Sequence, residues 1–155
     1  MQLYILRHAD ADTEAITDSA RRLSGKGEEQ ARTVAQFCST HGIQPGVIFA
    51  SPLIRAQQTA KPVAKELRME VTTARWLACG AKPDVILAEL AAVENVPAVM
   101  LVGHEPDLGN FIAHLLGAAS GSIHVRKASL TLVEVLLPRR GGGRIEFSMP
   151  VRLME

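Results

Sequence analysis

Short apolar runs alternate along this chain with longer stretches in which apolar residues recur every three or four positions. Leu3-Tyr4-Ile5-Leu6, Val47-Ile48-Phe49-Ala50 and Val99-Met100-Leu101-Val102 are unbroken apolar runs. Runs this short, rich in branched side chains, predict strands buried on both faces, as in a parallel sheet. Between the first two, Ala31, Val34, Ala35, Phe37 and Cys38 form a stripe at helical spacing. The predicted order is strand 2–7, a polar loop, helix 24–41, strand 47–51, helix 52–67 and a short strand near 69–73. A loop with Trp76, Cys79, Gly80 and Pro83 leads to helix 83–95, strand 98–103, helix 106–117 and strands 129–137 and 144–151. Strand–helix alternation of this kind predicts a three-layer α/β/α sandwich, its central sheet mostly parallel with an antiparallel edge strand.

Start and stop signals support these assignments. Ser24 stands where a capping hydroxyl is expected, and His41-Gly42 ends the helix with glycine at the left-handed stop and Pro45 just beyond. Ser51-Pro52 reads as a second start, with a capping serine and then proline at the first helical position. Glu105-Pro106-Asp107 places acids at the positive end of a third helix. Arg139-Arg140-Gly141-Gly142-Gly143 predicts a loose hairpin loop, and the alternation of Ile145, Phe147 and Met149 predicts a last strand buried on one face.

At 155 residues the chain fits a single domain, 1–155, with enough material for a core. Apolar residues make up 47% and charged residues 21%, the balance of a soluble globular protein. A net charge of +1 gives no global reason to expect nucleic acid or an anionic membrane as partner, so basic character must be local. The opening run before Arg7 is too short for a signal peptide, and no apolar run approaches the length of a membrane span. Cys38 and Cys79 stand alone, with no disulfide expected between them. A reducing, cytoplasmic setting is the simplest reading.

Candidate chemistry gathers at strand ends. In open α/β sheets, ligands bind in the crevice beyond the carboxyl ends of the strands. The first strand runs into Arg7-His8, and the strand at 98–103 runs into Gly103-His104. The strand at 47–51 runs into Ser51-Pro52-Leu53-Ile54-Arg55. Taken singly, each has an ordinary reading: a half-buried structural histidine, or a solvated surface arginine. Arg55, however, falls in the first turn of a helix, the unfavourable end for a cation, and a broken local rule often marks a functional site. Arg7 and Arg55 carry planar forks suited to phosphate or carboxylate, and the helix start beside Arg55 favours anions. Three such ends in one domain predict a shared anion site. His41, His114 and His124 show no ligand-like spacing, and no metal is expected. Trp76 is read as a rim or core residue.

These pieces resemble the histidine phosphatase superfamily, and within it the small phosphohistidine phosphatases of the SixA type. The resemblance is carried by Leu6-Arg7-His8, Asp18-Ser19-Ala20-Arg21, Leu23-Ser24-Gly25-Lys26-Gly27, Ser51-Pro52-Leu53-Ile54-Arg55-Ala56-Gln57-Gln58-Thr59 and Gly103-His104, in order over essentially the whole chain. It implies that His8 attacks phosphorus and forms a phosphohistidine intermediate, which water then hydrolyses. It implies that Arg7, Arg55 and His104 bind the phosphoryl oxygens and take part in catalysis, with Arg21 as a further cationic contact. No cofactor or metal is implied. The substrate implied is a phosphohistidine-containing protein, as in signalling phosphorelays, with no role for nucleic acid or membrane. Two departures stand out. Ala9 replaces the glycine that usually follows the nucleophile, which implies strain if that position needs a positive φ. The acid-bearing insertion of larger members is missing, and another branch places an aspartate directly after the second histidine, which makes Glu105 a candidate proton donor by analogy only. Competing readings are a small-molecule phosphomonoesterase and a non-catalytic phosphate-binding module on the same fold, the latter motivated by Ala9. A mutase is disfavoured by the missing insertion.

Overall fold

The protein is described here by a computed structural model covering residues 1–155. Strands β1 (Gln2–Arg7), β2 (Val47–Ala50), β3 (Val71–Thr73), β4 (Ala98–Gly103), β5 (Leu130–Val135) and β6 (Gly143–Met149) form one sheet. Its order is β3-β2-β4-β1-β5-β6. The first four strands in that order run parallel, and β5 and β6 add an antiparallel edge of two strands. Helices α1 (Gly25–Thr40) and α2 (Ile54–Glu66) cover one face, and α3 (Pro83–Ala91) and α4 (Asp107–Leu116) cover the other. This is the expected three-layer α/β/α sandwich.

Strand alternation explains why two cores form. Tyr4 and Leu6 of β1 and Met100 and Val102 of β4 point to the α1/α2 side, where Val34, Cys38, Ala60 and Val63 meet them. Leu3, Ile5, Val99 and Leu101 point the other way and pack against Ile86, Phe111, Ile112 and Leu115. Every residue of β4 is buried, as the unbroken apolar run requires of a central parallel strand. The side chain of Trp76 meets Phe49 edge-on at 5.3 Å, so it belongs to the second core rather than to a rim.

Several boundaries depart from the sequence reading for identifiable reasons. Ser24 does cap α1, accepting from Gly27 N–H at 3.1 Å. Ser51 and Pro52 do not begin α2, which starts at Ile54 with Leu53 as its cap residue. The serine hydroxyl is engaged by a distant side chain instead. Helix α3 stops at Ala91, four residues early, where Ala92 and Val93 close a tight turn on Leu90. The last strand is not buried along one face, because a bulge between Leu132 and Val133 shifts its register. Phe147 and Met149 still pack on the α1/α2 core, but Ile145 is 42% exposed. A bulge re-aims every side chain beyond it, and strand periodicity cannot reveal one.

No helix is long and apolar enough to cross a membrane. Cys38 is buried on α1 and Cys79 is exposed, and the two are not bonded.

Candidate active site

The parallel register delivers three side chains to one edge of the sheet. Arg7 of β1 lies opposite Gly103 of β4, and Ala50 of β2 lies opposite Val102. The ladder continues one step past the strands, with His8 N–H donating to Gly103 C=O at 3.0 Å and Ser51 N–H to Val102 C=O at 2.9 Å. His8, Ser51 and His104 therefore stand side by side, all buried. The two imidazole centroids are 5.2 Å apart, with the ring planes at 52°.

A hydrogen bond sets the tautomer of His8. His8 Nδ1 lies 2.8 Å from Ala9 C=O, and a carbonyl only accepts, so Nδ1 carries the proton. His8 Nε2 keeps its lone pair, approached at 3.4 Å by Arg55 Nε–H. His104 Nε2 lies 2.7 Å from Ser51 Oγ. That hydroxyl oxygen also accepts from Leu53 N–H at 3.3 Å. His104 Nδ1 is buried with no partner in the protein.

Both rings are held neutral. Burial pushes His8 down to about 3, helped by His104, Arg55 and Arg7 and opposed by the hydrogen bond to Ala9. Burial likewise pushes His104 down to about 4, with Arg55 and Arg7 adding to the effect and Asp18 opposing it. At neutral pH the site thus presents an unprotonated His8 Nε2 beside the Arg55 guanidinium.

The arginines are anchored from two sides. Arg7 Nη1 donates to Val125 C=O at 2.9 Å, while its Nε is buried without a partner. Arg55 is only 4% exposed, and Asp18 grips the far end of its guanidinium. Arg55 Nη1 donates to Asp18 C=O at 2.7 Å, and Nη2 to Asp18 Oδ2 at 3.0 Å. The grip turns the Nε edge toward His8. Arg55, followed by Arg21, holds the Asp18 carboxyl below the usual carboxylate range. Thr59, one turn along α2, donates to Arg55 C=O at 2.7 Å and accepts from Ala9 N–H at 2.9 Å. It thereby ties α2 to the residue after His8.

Two predicted residues lie differently from the four central ones. Arg21 donates to Asp12 C=O at 2.8 Å and to Asp18 Oδ1 at 3.2 Å, so it reaches the site through Asp18. Glu105 accepts from Val125 N–H at 3.0 Å, and a β-carbon at Gly109 would lie 2.9 Å from both carboxylate oxygens. Its carboxyl is held between residue 125 and the first turn of α4, and burial raises its pKa. Arg7 and Glu105 grip the two sides of the same peptide segment. Ala9 is fully buried and has no left-handed φ, so the position needs a small residue and not glycine's freedom.

Sequence reasoning missed Asp18 as the clamp on Arg55, Thr59 as the tie to Ala9, and Ser51 as the partner of His104. Only Thr59 left a local trace, four residues after Arg55 on one helix face. The other histidines stay outside. His41 stacks on Phe37 at the end of α1, His114 lies 3.7 Å from Asp84, and His124 is on the surface. A surface concavity of about 990 Å³ between α1 and α2 contains none of these groups.

A strand-end pair of neutral histidines flanked by buried Arg55 and half-buried Arg7 is an arrangement suited to an oxyanion. The pattern of the histidine phosphatase superfamily (branch 1) matches residues 3–78. Phosphohistidine phosphatase SixA of Escherichia coli (strain K12) is 28% identical over 159 aligned positions, spanning 96% of this chain and 93% of that protein. The phosphohistidine phosphatase SixA homolog of Haemophilus influenzae (strain ATCC 51907 / DSM 11121 / KW20 / Rd) is 30% identical over 128 positions, spanning 76% of this chain and 78% of its own. A solved structure of the protein histidine phosphatase SixA complexed with tungstate superposes with a TM-score of 0.88 at 26% identity, covering all of both chains. The chain belongs to the histidine phosphatase superfamily. Its class is that of a phosphatase, a hydrolase of phosphoryl groups.

Proposed function

We propose that this protein removes the phosphoryl group from phosphohistidine on a phosphorelay or signalling protein, by way of a covalent intermediate on His8. One observation carries the mechanism. Two buried nitrogens, Arg7 Nε and His104 Nδ1, have no partner in the protein and belong to residues that flank the unprotonated His8 Nε2; with Ser51 giving its hydroxyl proton to His104 Nε2, both are donors. Leaving a buried donor unpaired costs about 1–3 kcal/mol, so such groups mark the place of a ligand acceptor. A phosphoryl group supplies the oxygens they need, and tungstate, the ligand in the SixA structure, is an oxyanion too.

The steps follow from the geometry. His8 Nε2 attacks phosphorus while the P–N bond to the substrate imidazole breaks, and the leaving nitrogen takes a proton. Arg7, Arg55 and His104 hold the phosphoryl oxygens as charge moves onto them. Water then attacks phosphorus and gives a proton to the Glu105 carboxylate, the His8–phosphorus bond breaks, and inorganic phosphate leaves. Arg21 steadies Asp18, which steadies Arg55. Glu105, with its raised pKa, supplies the leaving-group proton in this scheme, although its carboxyl is turned to Val125 in the free protein. An imidazole leaving group needs little such help, which suits a chain without the acid-bearing insertion. Free thiols at Cys38 and Cys79 support a cytoplasmic setting.

The test is phosphate release from a histidine-phosphorylated carrier protein, with sugar phosphates run alongside. The expected result is release by the parent, none by His8→Ala, and slow turnover of the sugar phosphates. Faster turnover of the sugar phosphates, or equal release by the variant, would overturn the proposal.

A further inference from the structure

A groove of about 500 Å³ opens beside Arg7, and its lining is strongly cationic. Lys26 reaches it from the first turn of α1, Arg126 and Lys127 from the segment before β5, and Arg152 from the C-terminal turn. The one acid in the lining is Asp10, and it is already engaged. Its Oδ1 pairs with Lys127 at 2.7 Å, and its Oδ2 accepts from the Ser24 hydroxyl at 2.7 Å. Lys26, Arg126 and Arg152 are exposed and have no ion-pair partner in the structure. A chain of net charge +1 has therefore gathered unpaired cations at one edge of its active site.

The groove is fixed relative to the nucleophile. Arg7 belongs to both, and it holds Val125 C=O. Ala128 N–H donates to the carbonyls of Arg7 and His8, both at 3.2 Å, which pins the segment bearing Arg126 and Lys127 to the end of β1. A side chain seated on His8 by its phosphoryl group would present its neighbours to these cations. The cations come from three separate elements and stand exposed around the groove, an arrangement for a broad charged surface and not for an enclosed small anion.

We propose that this groove is a docking surface for the acidic face of the phosphohistidine-bearing protein, reading carboxylates that flank the phosphorylated histidine. The proposal rests on the phosphohistidine reading above and adds the chemistry of the partner. Rim cations act mainly through the rate of encounter, and their effect is screened by salt.

The test uses three substrates: a phosphohistidine peptide flanked by aspartate and glutamate, the same peptide flanked by alanine and glutamine, and free phosphohistidine. The enzyme is the full chain and its Lys26→Gln/Arg126→Gln/Arg152→Gln variant, which touches no residue of the catalytic site. At low salt the parent is expected to prefer the acidic peptide by about tenfold in kcat/KM. The variant should lose that preference while hydrolysing free phosphohistidine at the parental rate, and salt near 0.5 M should abolish the preference in the parent. Equal turnover of the two peptides by the parent, or a preference that survives in the variant, would overturn the proposal. If the parent hydrolyses none of the three, the phosphatase reading fails instead. Docking is then decided by binding of the same peptides, fluorescently labelled: a parental preference for the acidic one supports it, and equal binding overturns it.

Discussion

Lowering the pH from about 7.5 to about 5.5 is expected to cost this fold about 3 kcal/mol through His8 and His104. The folded protein holds these rings at about 3 and about 4. In the unfolded chain both titrate near an ordinary value of about 6.5. Between those limits the unfolded state binds protons that the folded state refuses, so stability falls as pH falls. The loss begins near the unfolded pKa and is complete only below the folded values. At about pH 5.5 each ring contributes about 1.4 kcal/mol, one pH unit below its unfolded pKa. Other groups titrate too, and Glu105, with its raised pKa, works in the opposite sense. Comparison with a His8→Gln/His104→Gln double variant cancels them. Urea unfolding at both pH values should show the parent losing about 3 kcal/mol more than the double variant. The same pH dependence in both proteins would refute the claim that burial holds the rings neutral. The functional corollary is that His8 stays nucleophilic across this window.

Other perturbations separate the roles of the surrounding residues. Ser51→Ala should leave His104 Nε2 buried and unpaired, costing about 1–3 kcal/mol in urea unfolding. Turnover should fall with it and return in Ser51→Thr; unchanged turnover would show that the hydroxyl does not set the tautomer. Asp18→Ala should lower kcat/KM by about tenfold, one charged hydrogen bond of about 1.5 kcal/mol, as Arg55 loses its clamp. Asp18 is 62% exposed on its side chain, so the melting temperature should barely move, and a large drop without loss of activity would contradict the clamp. Gly27→Ala would drive a β-carbon into the Asp10 carbonyl, so the loop after β1 must shift. A destabilisation of about 1–3 kcal/mol is expected from such overpacking, and a neutral result in thermal melting would contradict the close approach.

The four central residues were legible because each sits where an apolar run ends. Strand runs are local, and parallel strands in one sheet end at one edge, so His8, Arg55 and His104 meet once β1, β4 and β2 are neighbours, as they are in this sheet. The supports were not legible for the opposite reason. Ser51 carries a plausible local role as a helix cap, yet its hydroxyl bonds His104, 53 residues away. Asp18 lies 37 residues from Arg55 in a polar loop that no periodicity describes. The bulge that turns Ile145 outward depends on how β6 meets β5, which neither strand encodes alone. Arg21 and Glu105 were placed by resemblance, and the structure gives each a partner, Asp18 and Val125, that explains its position without direct contact with His8.

The central claim is that His8 carries the phosphoryl group during turnover. The most direct measurement is mass spectrometry of protein quenched in alkali while hydrolysing a histidine-phosphorylated carrier, with the ring position assigned by phosphorus NMR. A phosphoryl group is expected on His8, bonded to Nε2, because Nδ1 is committed to Ala9 C=O. Turnover with no adduct, with an adduct on another residue, or with phosphorus on His8 Nδ1 would contradict it.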